Sequence, residues 1–184
     1  MAITYPTSLD AFTNPLGTDV LTSPSHAQQH SDLNDAVEAL EAKVAIGNTV
    51  LGTYTAYTPT LSNVTLGNAT VNTRYCRVND LVHYYGMITF GSTTVITGSA
   101  WEISLPINVG GVNNFTSPIG STILYDDSAG QIYPGSVLRI SSSTSLRLMI
   151  NVAGQLYITN LSATSPFTWT TNDKIAFNLI YQAA

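Results

Sequence analysis

Charge is scarce in this sequence. Lys, Arg, Asp and Glu make up only 9% of the 184 residues, against roughly 25% in ordinary soluble domains. The six basic residues lie scattered and form no patch. A nucleic-acid partner, which needs clustered Lys and Arg against phosphate, is thereby disfavoured. An anionic membrane surface is disfavoured on the same ground. Cysteine is nearly absent: Cys76 stands alone, so no disulfide forms within one chain. No window approaches 18 apolar residues, so no helix is expected to insert in a membrane. The opening MAITYPTSLDAFTNP lacks a basic region followed by an apolar run, so it does not read as a Sec leader. The chain is expected to fold in a reducing cytosol.

What remains is 44% hydrophobic residues at a net charge of −5. Ser, Thr, Asn and Gln must therefore supply the polar surface. Such a composition suits extended β-structure and particle-bound proteins better than a free cytosolic enzyme. The length allows one domain with a sizeable core plus an appendage.

The pattern divides the chain into three. Residues 1–22 carry Pro6, Pro15 and Gly17 among Tyr5, Leu9, Phe12 and Leu16, with neither strand nor helix period. This reads as an extended arm that orders only against another surface. Residues 23–48 read as a helix. Ser23 is a suitable N-cap, Pro24 fits the first turn and Gly47-Asn48 is a stop signal. About 22 residues at 1.5 Å each give a rod of about 33 Å. Its apolar stripe runs Leu33, Val37, Leu40, Val44 at spacings of 4, 3 and 4. Continued backward, the stripe passes through His30 and His26. This is a coiled-coil seam, with Val37 and Val44 at a and Leu33 and Leu40 at d. So narrow a stripe is marginal for an isolated helix in water, and it predicts self-association. Only about two heptads are apolar, so arm and head are expected to contribute. Val at a with Leu at d does not exclude a dimer.

Residues 49–184 read as β. Runs such as ATVNTRYCRV, LVHYYGMITF, STILYDD, SLRLMIN and KIAFNLIYQ alternate with turn residues. The turn signals include Asn79-Asp80, Gly130, Pro134-Gly135 and Asn172-Asp173. Many short strands at about ten-residue spacing predict an antiparallel β-sandwich, jelly-roll-like, as the head.

Catalytic groupings are thin. If Asn79-Asp80 is a two-residue hairpin loop, Cys76 falls opposite His83, the one nucleophile–base pairing on offer. No oxyanion loop accompanies it. His26 and His30 have a zinc-compatible i, i+4 spacing but no third ligand. In an oligomer they would form rings on the seam, where they set register or a pH dependence. Asp126, Asp127 and Ser128 before Gly130 resemble a calcium loop only faintly, because turns favour the same residues. No metal and no cofactor is expected. Trp101 and Trp169 sit in alternating apolar runs, which assigns them to the core. Tyr125 and Tyr133 flank the acidic turn, and Tyr125, Asp126, Asp127 and Tyr133 together are a candidate receptor-facing loop. A polysaccharide depolymerase would need paired carboxylates in a groove. The β-region offers only Asp80, Glu102, Asp126, Asp127 and Asp173.

TYPTSLDAF and VLTSPSHAQQHSDLNDAVEALEAKVAIGN, within residues 4–48, resemble the N-terminal module of small structural proteins of tailed bacteriophages: minor tail proteins, tail fibres and head fibres. HAQQHSDLNDAVEALEAKV (26–44) is the specific portion. Beyond it, residues 57–91, WEISLPI (101–107) and FTWTTNDKIAFNLIYQ (167–182) are similar in pattern to the β-heads that follow such modules. The resemblance implies a homotrimeric virion appendage, made in the host cytoplasm and exposed on the particle. The arm, through Tyr5, Leu9, Phe12 and Leu16, would hold other virion proteins of tail or capsid. His26, His30, Leu33, Val37, Leu40 and Val44 would form a three-stranded stalk. The head would contact a host-surface glycan or protein, or decorate the capsid without binding a receptor.

Overall fold

The computed structural model describes residues 26–44, 52–110, 117–140, 142–151, 154 and 157–184. The chain divides into two compact units, Met1–Thr53 and Tyr54–Ala184. In the first, α1 (His26–Val44) is a single helix of 19 residues. The expected caps Ser23, Pro24, Gly47 and Asn48 lie outside the described residues, as do Tyr5, Leu9, Phe12 and Leu16. Among the described residues no helix is long and apolar enough to cross a membrane.

The second unit is β. Its strands are β1 (Thr55–Ala56), β2 (Val64–Thr65), β3 (Thr70–Val78), β4 (Leu81–Thr89), β5 (Val95–Ile96), β6 (Glu102–Ser104), β7 (Ser117–Asp126), β8 (Gln131–Arg139), β9 (Ser145–Asn151), β10 (Ile158–Asn160) and β11 (Lys174–Gln182). Every pairing among them is antiparallel. The main sheet runs β1-β3-β4-β11-β7-β8-β9-β10, with β6 on the same edge of β9 as β10. Hairpins join β7, β8 and β9, and β11 returns to lie beside β7. That spatial order is a Greek key.

The sheet also meets itself. Residues 55–57 pair with β3, where the Tyr57 N–H donates to Thr73 O at 3.2 Å. A few residues on, the Ser104 N–H donates to Thr60 O and the Ser62 N–H to Glu102 O, both at 2.9 Å. One short segment thus bridges β3 and β6 and closes a hydrogen-bonded circuit. The circuit covers the edges of β3 and β6 that would otherwise stand open, and open edges are the standing hazard of a polar, weakly charged β-protein.

Alternation packs the interior. In β11 the buried residues are Ile175, Phe177, Leu179 and Tyr181, and in β4 they are Val82, Tyr84 and Ile88. Trp101, Ile103, Leu146 and Leu148 cover them from β6, β9 and the residue before β6. Trp101 and Trp169 are both core residues, their rings 5.1 Å apart. Phe90 and Phe167 extend that stack, at 5.1 and 4.4 Å from Trp169.

Pro134-Gly135 is not a turn. Both residues lie inside β8. Among the described residues the pairing of β8 with β9 starts at Gly135, so Pro134 stands just outside that ladder, where a missing N–H is tolerated. Gly135 serves a close approach: a Cβ there would meet Met149 O and, at 2.7 Å, Thr122 Cγ2.

One ion pair braces the junction of β6 and β9. Arg147 Nη2 donates to Glu102 Oε1 at 2.6 Å, and the Ser145 hydroxyl donates to Oε2 at 2.7 Å. Partial burial alone would raise the Glu102 carboxyl, but the Ser145 hydroxyl and the Arg147 guanidinium outweigh it and hold it below its ordinary value. A carboxyl lowered in the fold contributes stability above its unfolded value, and that contribution fades as pH falls through the folded value. Glu102→Gln is expected to lower the thermal midpoint at pH 7 by about 3–5 °C, for a loss of about 1 kcal/mol. As pH falls through that lowered carboxyl value and both forms become neutral, the two melting curves converge. Scanning calorimetry across pH checks both points.

Candidate functional site

The stripe on α1 has no partner within the described chain. Leu33 is 59% exposed, Val37 46% and Leu40 52%. The side chain of Val44 lies outside the description. Three large apolar side chains thus stand in water on one helical line. At the start of the helix the rings of His26 and His30 stand edge to face, 88° apart. Their Nε2 atoms are 3.0 Å apart, so one ring donates its N–H and the other accepts. Gln28 donates to Asp32 one turn on, at 2.8 Å. Among the described residues no three His, Cys, Asp or Glu side chains converge as metal ligands.

The acidic turn between β7 and β8 forms, but the four residues assigned to it do not make one surface. Asp126 is buried, and its Oδ1 accepts from the Ser128 hydroxyl at 2.7 Å and the Ala129 N–H at 3.0 Å. These two donors hold its carboxyl below the ordinary value. It closes the turn rather than facing a partner. Asp127 pairs with Lys174 at 3.2 Å, and the Lys174 ammonium sits 4.5 Å above the Tyr125 ring. Tyr133 is on the opposite face of the sheet. It pairs with the buried Leu124, whereas Tyr125 pairs with the exposed Ile132. The Tyr133 ring packs on Phe167 at 5.2 Å, and its hydroxyl donates to Gln131. Alternation along β8 explains the split, since a separation of one residue from Ile132 changes the face.

Asp173 anchors this end of the head. It is fully buried. Its carboxylate accepts the Asp127 N–H at 2.9 Å and the Thr170 N–H at 2.5 Å. The turn signal Asn172-Asp173 was visible, but not that its carboxylate ties two loops together.

Cys76 and His83 are directly paired across β3 and β4. Yet His83 is committed elsewhere. Its Nδ1 lies 2.7 Å from the Tyr54 hydroxyl and its Nε2 lies 2.9 Å from Asn178 Oδ1. With Asn178 accepting, Nε2 carries the proton and Nδ1 receives the Tyr54 O–H. No lone pair is left to take a proton from the thiol, which is what a nucleophile–base pair requires. The Tyr54 phenol is raised above its ordinary value, first by the Cys76 sulfur beside it and then by burial.

Two depressions lie among the described residues of the head. One, of about 540 Å³, lies between residues 90–96 and 163–171. Val95 and Ile96 form one wall, Thr164, Thr168 and Thr171 contribute hydroxyls, and Trp169 contributes to its lining. Its lining contains no charged residue. Hydrogen bonds fix the near wall: Asn68 Oδ1 accepts from the Thr93 N–H and hydroxyl, both at 2.9 Å. The other, of about 460 Å³, lies on the outward face of β3, β4 and β11, between Arg74, Tyr85, Met87 and Asn178.

Comparison with protein-family models, curated proteins and solved structures finds no match.

Proposed function

We propose that this chain is a non-enzymatic structural protein of a tailed phage particle: a homotrimeric appendage, attached through residues 1–22, with a jelly-roll-like head for contact with the host surface. The observation that carries the reading is the stripe Leu33, Val37 and Leu40, each about half exposed on α1. A helix that displays its only apolar line to water gains stability when identical helices cover it. The Greek-key order and the closed hydrogen-bonded circuit support the jelly-roll-like head. The uncharged groove beside Trp169 offers hydroxyls and aromatic carbon, a surface that fits a neutral host-surface ligand.

Light scattering tests the assembly. The full chain of 19.6 kDa is expected at about 59 kDa, three copies in a closed ring. A chain starting at Tyr54 is expected to lose that mass. A full chain that stays at one copy refutes the reading. Decoration of the capsid without receptor binding is the second reading, favoured by the same low charge. Binding of purified protein to host cells separates the two: attachment predicts saturable binding, decoration predicts none.

A further inference from the structure

The head exposes large apolar side chains unevenly. Among its described residues eleven are exposed, and eight of these stand on one face. That face is the outward side of β3, β4, β11, β7 and β8. Register places Met87, Ala176, Ile123 and Pro134 in one cross-strand row. Ile180 lies in the row of Cys76 and His83, and Leu81 in the next, while Ile132 lies in the row of Tyr125. Tyr85 stands between, with Tyr54 and Val78 at the margin. Ile132 is 65% exposed, Ile180 56% and Leu81 54%.

We infer that this face packs against a second copy of the same chain. Five strands about 4.8 Å apart, with four outward residues each about 6.8 Å apart, span about 650 Å². A stable interface takes about 800 Å² from each partner. The face, its polar positions included, is thus near the size an interface needs. Its polar groups suit its own kind. Among the described residues of this face Arg74 is the one exposed cation without an acidic neighbour, and its row continues through Asn178, Ser121 and Ser136. Each of these carries an oxygen that accepts from a guanidinium of another copy. The inference rests on the reading that α1 associates copies. Once it does, the heads are tethered at an effective concentration of about millimolar, and a face of modest affinity is filled by its twin before any other protein.

Cys76, the only cysteine, lies on this face and reports on it. The test is the rate at which a polyethylene-glycol maleimide labels Cys76 in the full chain, compared with the full-length variant Leu33→Asp/Leu40→Asp, whose copies are apart. Labelling in the assembly is expected to be slower by at least about tenfold. Ile180→Asp should raise the assembled rate to the dispersed value, whereas Ile158→Asp, off the face, should not. Equal rates in an assembly of the expected mass overturn this inference alone and leave the face to another partner. A full chain of single-copy mass overturns the assembly reading and this one with it.

Discussion

A full-length chain carrying Leu33→Asp and Leu40→Asp is expected to run as a single copy of 19.6 kDa, where the unaltered chain runs near three times that mass. Each leucine is more than half exposed in one chain, so its replacement costs the isolated helix little. In the assembly each would be buried, and burial of a leucine contributes about 2 kcal/mol. Three copies repeat the loss at two levels of the seam, and the introduced carboxylates would face one another across the axis. Glu38→Gln, off the stripe, is the control and keeps the assembled mass. Light scattering reads the mass and circular dichroism verifies that the β-signal of the head is unchanged. An assembly that tolerates both aspartates would mean that α1 is not the joint.

Trp101→Ala is expected to have the largest effect on the head itself. Trp101 is fully buried, against Phe90 at 6.1 Å and Trp169 at 5.1 Å. Its indole N–H donates to Gly98 O at 2.8 Å, and its backbone carbonyl accepts the Leu148 N–H at 2.9 Å. The substitution opens a large cavity where β6 and β9 meet the Phe90–Trp169 stack. The expected loss is about 3–5 kcal/mol, or a midpoint about 10–20 °C lower for a unit of this size. Trp101→Phe keeps most of the ring volume and loses the hydrogen bond, so it should cost about a third as much. A Trp101→Ala head that melts within a few degrees of the parent would show that the stack is not the centre of the core.

The sequence was most informative where local rules decide. VND-L between two alternating runs sets the hairpin register, and Cys76 does meet His83, with Asn79 at φ 52° in the turn. SLRLMIN and KIAFNLIYQ correspond residue for residue to β9 and β11. Local rules fail where partners are distant. Nothing in KIAFNLIYQ says that it lies between β4 and β7, because an alternating strand fits any apolar sheet face. Pro134-Gly135 carries the residues of a turn, but its neighbours across β7 and β9 keep it extended. Tyr125, Asp126, Asp127 and Tyr133 are close in sequence, but alternation along β7 and β8 divides them. Asp173 is legible as a turn residue, but not as an anchor. Its role depends on Thr170, three residues away, and on Asp127, which arrives from another hairpin.

The place of β11 has a consequence for the order of synthesis. It pairs with β4 along its whole length, from Lys174↔Thr89 to Gln182↔Leu81, and with β7 along most of it. Until residues 174–182 leave the ribosome, β4 and β7 have no neighbour on their facing edges. The hairpins β3–β4 and β7–β8–β9 wait as two half-sheets, and their apolar sides stay wet. Residues 26–44 emerge long before that. On the proposed reading, joining of nascent chains through α1 would precede completion of any head.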